Sequence, residues 1–155
     1  MPEFDLQNFL PFRLSRLSFE VSNKMAEIYS ERFDISIPEW RILATLAARK
    51  QCTAQAIVAS TRTHKSTISR AVARLTKNGW IEQISSKDDK RKHVLQLTIE
   101  GKSKFSKLMP LVRIFEEELH AKMSNVDMDK LLEGINALER IFELGMERDQ
   151  KHFDL

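Results

Sequence analysis

Apolar residues recur at helical spacing in the centre of the chain, and two short alternating stretches follow them. Within residues 65–78, four apolar positions fall at i, i+3, i+4 and i+7, namely Ile68, Ala71, Val72 and Leu75. This spacing predicts an amphipathic helix of about four turns with one buried stripe. Residues 80–84 and 93–98 then alternate apolar and polar side chains on either side of a charged stretch, which is typical of two strands and a turn. The centre of the chain is therefore predicted to be a helix followed by a β-hairpin.

The other side of this predicted helix is small, hydroxylic and basic. It carries Lys65, Ser66, Thr67, Ser69, Arg70, Arg74 and Lys77. Such a face suits a helix that enters the major groove of DNA, which is about 12 Å wide. An ordinary solvated helix face is the alternative, and the hairpin that follows favours the DNA-binding interpretation.

Helical periodicity extends over most of the remaining chain. Residues 8–31 carry an apolar stripe wide enough for two partners, the domain's own core and a second subunit; a terminal helix packed wholly within its own domain is the alternative. After the hairpin, apolar spacing predicts a long helix that Thr98 caps and Pro110 kinks, and a last helix over residues 126–147. The last helix is predicted to face inward with Leu131, Leu132, Ile135, Leu138, Phe142 and Gly145. The chain is thus predicted to be mainly helical.

Capping residues mark the starts of two helices that precede the central one. Ser36 and Glu39 have the spacing of a capping box, and Pro38 lies in the first turn, where its missing N–H costs little. The predicted core face of this helix comprises Trp40, Leu43, Ala44 and Ala47. Thr53 is the predicted N-cap of the next helix, and residues 62–64 then connect it to the central helix. Two helices joined by a tight turn, the second polar and basic on its outside, form a helix-turn-helix arrangement.

The turn of the predicted hairpin is a charge run, SSKDDKRK, over residues 85–92. Such a run is usually only a solvated loop, but this one directly follows a candidate DNA-binding helix. Lys90, Arg91 and Lys92 could reach the DNA backbone or enter the adjacent minor groove, whose negative potential favours arginine. Asp89 would then orient Arg91 through a charge-assisted hydrogen bond.

Charge is distributed unevenly along the chain, although the net charge is only +3. Residues 61–93 contain nine basic and three acidic side chains, whereas residues 113–155 contain six basic and eleven acidic ones. The C-terminal segment therefore has the wrong sign to follow a polyanion. This asymmetry favours a nucleic-acid surface in the centre and a different role for the C-terminal segment.

Length and composition are those of a single globular domain. A chain of 155 residues with 42% hydrophobic content can bury one sizeable core. No apolar run approaches the roughly 20 residues that span a membrane, and the N-terminus, with Glu3 and Asp5, lacks the features of a signal peptide. The single cysteine, Cys52, excludes an intrachain disulfide framework. We therefore expect a soluble, cytoplasmic protein.

Three stretches resemble the MarR-type (multiple antibiotic resistance regulator) winged helix-turn-helix transcriptional regulators. KSTISRAVARLTKNGWI resembles the family's recognition helix and following strand, DKRKHVLQLTIEG its wing with the Asp-x-Arg and LTxxG pattern, and SIPEWRILATLA its second helix. The sequence departs from the family where Thr61, Arg62, Thr63 and His64 stand in place of Leu, Gly, an apolar residue and Asp. Ser86 and Lys87 also replace the common Asp-Pro of the wing.

The resemblance implies a fold, an assembly and a mode of DNA binding. The fold would be mainly α with a small β-hairpin wing, one domain over residues 1–155. Its winged part would cover about 36–101, and dimerisation helices about 8–33 and 103–150. A homodimer would read a pseudo-palindromic operator in double-stranded DNA. Lys65, Arg74 and Lys77 would contact phosphates, and Ser66, Thr67, Ser69 and Arg70 would contact bases.

A small-molecule effector is the second implication of the resemblance. MarR-like proteins often bind aromatic or phenolic acids in a cleft between the dimer helices and the winged part, which would make this protein a repressor released by such an acid. Arg13, Arg16, Trp40 and Arg41 lie on the segments that would line this cleft. Arg16 is the best candidate to pair with a carboxylate, because arginine binds one bidentately. Surface charge or core packing is the alternative role for all four.

Cys52 raises the alternative of a redox-responsive regulator. A sensing thiol needs a lowered pKa and exposure, and Cys52 precedes a predicted helix with Arg49 and Lys50 close in sequence. The chain contains no second cysteine to resolve a sulfenate, so an inert thiol is the favoured interpretation.

Two further classes of function compete with DNA binding. The sequence has no glycine-rich phosphate loop, no GxSxG and no HExxH or CxxC spacing, and its four histidines are scattered singly, so we expect neither an enzyme nor a bound cofactor or metal. A helical interaction module that kept the winged fold without binding DNA would not need a basic helix face. Arg70, Arg74 and the basic hairpin tip argue against that module.

Overall fold

The computed structural model describes residues 4–85 and 93–144. A short 3-10 helix, Leu6–Asn8, precedes six α-helices and three strands. In chain order these are α1 (Leu10–Phe33), α2 (Ile37–Arg49), β1 (Gln51–Cys52), α3 (Ala54–Thr61), α4 (Lys65–Lys77), β2 (Ile81–Ser85), β3 (His93–Leu97), α5 (Ile99–Lys122) and α6 (Asn125–Ile141). This mainly helical order with a small sheet confirms the predicted fold class.

Predicted caps begin three of these helices. Glu39 Oε2 accepts from the backbone N–H and the hydroxyl of Ser36, both at 2.7 Å, so the capping box of α2 is complete. Thr53 Oγ1 accepts from an N–H of the first turn of α3 at 3.1 Å, and Thr98 does the same for α5 at 3.0 Å. Local hydrogen bonding therefore sets these helix starts.

The sheet is antiparallel with the strand order β1-β3-β2. Its edge strand β1 has only two residues and was not predicted, because so short a strand shows no periodicity. A row of side chains crosses the exposed face of the sheet: Gln51 Nε2 donates to Gln96 Oε1 at 2.9 Å, and Gln96 Nε2 donates to Glu82 Oε1 at 2.7 Å. The added strand ties the end of α2 to the hairpin.

The core lies where α2, α4 and the sheet meet. Its largest fully buried apolar side chains are Tyr29, Ile42, Leu43, Leu46, Ile57, Ile68, Leu75, Ile81 and Leu108. On α4, Ala71 is buried as predicted and Val72 is half-buried. The prediction for α2 was too narrow, since Ile42 and Leu46 are buried and Ala44 and Ala47 only partly so. Helices α4 and α5 and strand β3 all pack against α2, so more than one of its faces is covered.

The surroundings of Gly101 explain why the LTxxG pattern ends in glycine. A Cβ on Gly101 would lie 1.9 Å from the carbonyl oxygen of Trp80, so only glycine lets α5 pass this close to the start of the hairpin. The Thr98 hydroxyl donates to the carbonyl of Gly79 at 2.6 Å and reinforces the same junction. The pattern therefore encodes the seam between the wing and α5.

The helices outside the winged part bury little. Helix α5 runs through Pro110 without a break, as the continuing apolar spacing predicted. Of α1 only Tyr29 is fully buried, and no side chain of α6 is. The prediction that α6 turns its apolar residues inward is wrong for the single chain. Leu131, Leu132, Ile135 and Phe142 are all exposed, because no other part of the described chain covers them.

The last helix also ends earlier than predicted. Its C-cap is Phe142, followed by Glu143 with a φ of 57°, so the helix closes six residues before position 147. Gly145 lies outside the described residues.

Candidate DNA-binding surface

The turn between α3 and α4 is where the sequence departs from the resembled family, and its geometry is regular. Arg62 closes α3 in the left-handed conformation, with a φ of 52°, at the position where the family usually has glycine. His64 then takes the N-cap position usually held by aspartate. Its Nδ1 accepts from the backbone N–H of Ser66 at 3.2 Å and lies 2.8 Å from the Ser66 hydroxyl. Arg62 therefore ends α3 and His64 begins α4, at the positions where the resembled family usually has glycine and aspartate.

Helix α4 presents one side to the core and the other to solvent. Its buried side packs against α2, α3 and β2. Of the residues predicted to contact DNA on α4, Thr67 is half-buried and the others are exposed: Lys65, Ser66, Ser69, Arg70, Arg74 and Lys77. The structure thus brings all seven together on the outer side of a helix whose inner side is anchored in the core.

Arg74 is distinguished from the other basic residues of this surface by its contacts. Its Nη2 donates to the backbone carbonyl and the carboxylate of Asp34, at 2.8 and 2.7 Å. Its Nη1 lies 3.4 Å from Glu39 Oε2, and its Nε lies 3.4 Å from Glu39 Oε1. Sequence reasoning assigned Glu39 only to the cap of α2, and it gave Asp34 no role.

The wing is described only at its base. Strands β2 and β3 pair up to Ser85 and His93. The predicted DNA contacts at the tip, Asp89, Lys90, Arg91 and Lys92, lie outside the described residues, so their roles stay predictions.

The four candidate ligand residues have separate surroundings. Trp40 is 9% exposed and is stacked between Tyr29 and Phe105, with ring centroids 5.8 and 5.9 Å away, so it belongs to the core. Arg41 Nη1 donates to Thr63 Oγ1 at 3.3 Å and ties α2 to the turn before α4. Both of these residues therefore have packing roles within the chain.

The remaining two candidates, Arg13 and Arg16, are exposed on α1. The Arg16 guanidinium lies 5.4 Å from the centre of the Phe12 ring and donates to Gln7 Oε1 at 2.8 Å. The described part of the chain contains a recess of about 240 Å³ between α2 and α4 and another of about 380 Å³ between α1 and α5. None of the four candidate ligand residues lines either recess.

Burial raises the pKa values of two titratable groups in the described part of the chain, Cys52 and Tyr29. Burial raises the pKa of the Cys52 thiol to about 11, against the opposing effect of the Arg49 charge. The same effect raises the pKa of Tyr29 to about 12, with Arg41 opposing it. A buried thiol with a raised pKa lacks both properties that a redox sensor needs, so the Cys52 alternative loses its physical basis.

The described residues offer no site for a metal and no membrane-spanning element. Between residues 4–85 and 93–144, no group of three or more His, Cys, Asp and Glu side chains is arranged to hold a metal ion. None of the helices in these ranges is long and apolar enough to cross a membrane.

Known proteins share both the sequence pattern and the fold. Residues 33–92 match the sequence model described as the MarR family. The HTH-type transcriptional regulator YwoH of Bacillus subtilis is 28% identical over 106 residues, which is 68% of this chain and 77% of YwoH. A crystal structure of a MarR family transcriptional regulator from Silicibacter pomeroyi is 28% identical, with a TM-score of 0.75 over 89% of this chain and 90% of its own.

A more distant structure shares the fold alone. It is that of Bordetella bronchiseptica BpsR, whose DNA binding is described as regulated by 6-hydroxynicotinic acid. Its identity to this chain is 12%, and its TM-score is 0.76 over 88% of this chain and 97% of that protein.

The fold and the exposed face of α4 define a winged helix-turn-helix DNA-binding protein. The sequence and structural matches confirm the resemblance noted from the sequence. Residues 33–92 match the MarR family model, and the fold is similar to that of a solved MarR family transcriptional regulator.

Proposed function

We propose that this protein is a homodimeric, sequence-specific transcriptional repressor that a small aromatic or phenolic acid releases from DNA. The observation that carries the DNA-binding part is the exposed row of hydroxyl and basic side chains on α4, opposite the stripe of buried Ile68, Ala71 and Leu75. In this proposal Lys65 and Lys77 contact phosphates, while Ser66, Thr67, Ser69 and Arg70 face the bases. Lys90, Arg91 and Lys92 anchor the neighbouring minor groove, with Asp89 orienting Arg91.

Exposed apolar side chains support the homodimer. Large apolar residues uncovered on α1 are Leu10, Leu14, Leu17, Phe19 and Val21, and those on α6 are Val126, Leu131, Leu132, Ile135 and Ile141. Monomeric soluble proteins rarely expose large apolar patches, so we expect a partner to cover these side chains. In this proposal the second copy covers α1 and α6, and the two α4 helices lie about 34 Å apart, the spacing at which a dimer contacts successive major grooves. The dimerisation segments are then about 8–33 and 103–150.

Selection of DNA from a random pool tests the DNA-binding part of the proposal. We expect enrichment of an inverted repeat that the full chain binds as a dimer. Gel-shift titrations should then show that Arg70→Ala weakens binding by about 1 to 3 kcal/mol and reduces the discrimination at one position of each half-site. A pool that shows no enriched sequence would contradict sequence-specific binding.

The effector part rests on the chemistry of Arg16. Its planar guanidinium, exposed beside the Phe12 ring, offers a bidentate partner for a carboxylate and a neighbouring surface for an aromatic ring. BpsR, which has the same fold, is described as regulated by an aromatic acid of this class. Isothermal titration of benzoate, salicylate and hydroxynicotinates should give binding that Arg16→Ala removes. Arg32→Ala, which changes an exposed arginine in the last turn of the same helix, is the matched control and should not affect binding. Absence of binding for the whole set would contradict this part of the proposal.

A further inference from the structure

Arg74 connects α4 to the junction of α1 and α2, which lies 35 to 40 residues earlier in the sequence. Its guanidinium contacts the carboxylate and carbonyl of Asp34 at the end of α1 and the carboxylate of Glu39 in the first turn of α2. Arg74 itself lies in the third turn of α4. The end of α1, the start of α2 and the third turn of α4 therefore meet at one side chain.

The burial of Glu39 makes its contact with Arg74 costly to break. Its side chain is 1% exposed, and the same carboxylate closes the cap of α2 by accepting twice from Ser36. A buried carboxylate needs a cationic partner, because an unpaired buried charge costs several kcal/mol. The planar guanidinium suits this position, since its donors point in several directions at fixed angles.

Asp34 is the exposed partner of Arg74. It is the C-cap of α1 in the left-handed conformation, with a φ of 51°, and its N–H donates to the carbonyl of Ser30 at 2.9 Å. The Asp34 side chain is 94% exposed, so water weakens its attraction to the guanidinium. Its carboxylate and carbonyl are nevertheless both within 2.8 Å of Arg74 Nη2.

These contacts leave Arg74 poorly suited to a phosphate. The cluster of Arg74, Asp34 and Glu39 carries one positive and two negative charges, so the two carboxylates would repel a DNA phosphate that approached Arg74. Lys65 and Lys77 form no ion pair within the described part of the chain and remain the better phosphate contacts on α4. Thr67 and Arg70 line the 240 Å³ recess that Arg74 and Glu39 also line, so they lie next to the cluster.

We propose that Arg74 is a positioning residue and not the phosphate contact that the sequence pattern indicated. It fixes α4 against the α1–α2 junction and so sets how Thr67 and Arg70 meet the bases. This inference rests on the proposed function for its consequence in DNA recognition. Because α1 also carries the exposed apolar face, the same contact links the recognition helix directly to the proposed dimerisation helix.

The Arg74→Lys variant distinguishes a positioning role from a phosphate contact. Lysine keeps the positive charge for a phosphate but cannot contact Asp34 and Glu39 with a rigid fork. We expect Arg74→Lys and Arg74→Ala to lower the ratio of affinities for selected and unrelated DNA about tenfold, a typical loss for a charged network. The slope of log K against log salt should stay unchanged in Arg74→Ala. Lys77→Ala is the control, and it should reduce that slope by about 0.9 without changing the ratio.

Asp34→Gly tests the partner of Arg74. Glycine accepts the positive φ, so the change removes the carboxylate without straining the backbone. Removal of an acidic group near DNA should strengthen binding on charge grounds alone, whereas loss of positioning should weaken binding to selected DNA about threefold. Glu31→Gln removes a charge from an exposed residue of the same helix and should not weaken binding.

Hydrogen exchange of the α4 amides distinguishes failure of this inference from failure of the proposed function. We expect faster exchange in Arg74→Lys than in the wild-type protein or Lys77→Ala, with no DNA present. If the wild-type protein does not discriminate between DNA sequences but exchange still changes in this way, the proposed function fails and the positioning role stands. Unchanged exchange, full discrimination by Arg74→Lys or a slope reduced by about one in Arg74→Ala would each overturn the inference.

Discussion

The winged part of this protein and the helices outside it, α1 and α6, differ in how much of their apolar surface is buried. Helices α2 and α4 and the three-stranded sheet bury nearly all their large apolar side chains within the chain. Helices α1 and α6 have helical apolar spacing of the same kind, yet they leave most of those side chains exposed. Similar patterns therefore lead to an intramolecular core in one region and to an uncovered surface in the other. The uncovered surface is the physical basis for the proposed dimer.

The largest expected difference in stability is between two leucine-to-alanine substitutions, one in each region. Leu75 is fully buried, so Leu75→Ala should lower the free energy of unfolding by about 4 kcal/mol through lost burial and a cavity. Leu132 is 47% exposed, so Leu132→Ala should cost less than about 1 kcal/mol at protein concentrations where the chain is monomeric. Urea titrations of both variants measure the difference. Equal losses at low concentration would show that α6 is packed within its own chain.

Two glycines give the second contrast. Gly101→Ala should destabilise the protein by about 3 kcal/mol, because the new Cβ would overlap the Trp80 carbonyl. Gly134 lies on α6, and apart from its chain neighbours and the backbone of its own helix no atom of the described chain lies within 4 Å of the place that a Cβ would occupy. Gly134→Ala should therefore stabilise the helix by up to about 1 kcal/mol. Thermal unfolding of the two variants provides the test. A loss of stability in Gly134→Ala would mean that another chain packs against that position.

A charge placed on the exposed apolar face of α6 should affect assembly more than folding. Leu132→Asp should weaken dimerisation by about 2 kcal/mol, because the carboxylate would be desolvated in the interface. Analytical ultracentrifugation should show a shift from twice the 18.0 kDa chain mass toward that mass. Ala59→Asp adds the same charge on α3 and should leave the dimer intact. A wild-type protein that is monomeric at all concentrations would contradict the proposed interface.

The smallest effect concerns alkaline pH and comes first from Cys52 in the winged part. The pKa of Cys52 is raised from 9.0 to about 11, so between these values the unfolded chain loses the thiol proton and the folded chain keeps it. Stability should therefore fall as pH rises above about 9, by about 1 kcal/mol at pH 10. Tyr29 adds a similar loss only above about pH 10. Urea titrations of Cys52→Ala should show a smaller loss from pH 8 to pH 10.

Features that depend on neighbours in sequence were predictable. The capping residues Ser36, Thr53 and Thr98 begin helices as predicted, because the donor and acceptor of each cap lie within three residues. The buried stripe of α4 follows from its 3.6-residue period. The alternation of residues 80–84 and 93–98 predicted the hairpin, and the resemblance implied that it is a wing. Most of the helix starts and the candidate DNA-binding face could therefore be predicted from the sequence.

Features that depend on distant partners were not predictable. The capping box identified Glu39 as a local hydrogen-bond acceptor, but nothing near it in sequence indicates Arg74, which is 35 residues away. Strand β1 exists only because β3 pairs with it. The core position of Trp40 was predicted, but the rings of Tyr29 and Phe105 that stack on either side of it were not.

The amino-acid sequence was sufficient to establish where helices begin, which side of α4 is apolar and which family the chain resembles. Each of these depends on short-range hydrogen bonding or on a periodicity confined to one element. Only the tertiary structure decided that α2 is covered on several faces, that α6 is not covered and that Arg74 faces two carboxylates. Those outcomes depend on which elements meet in space, because an apolar or charged side chain has the same local pattern whether or not a partner reaches it.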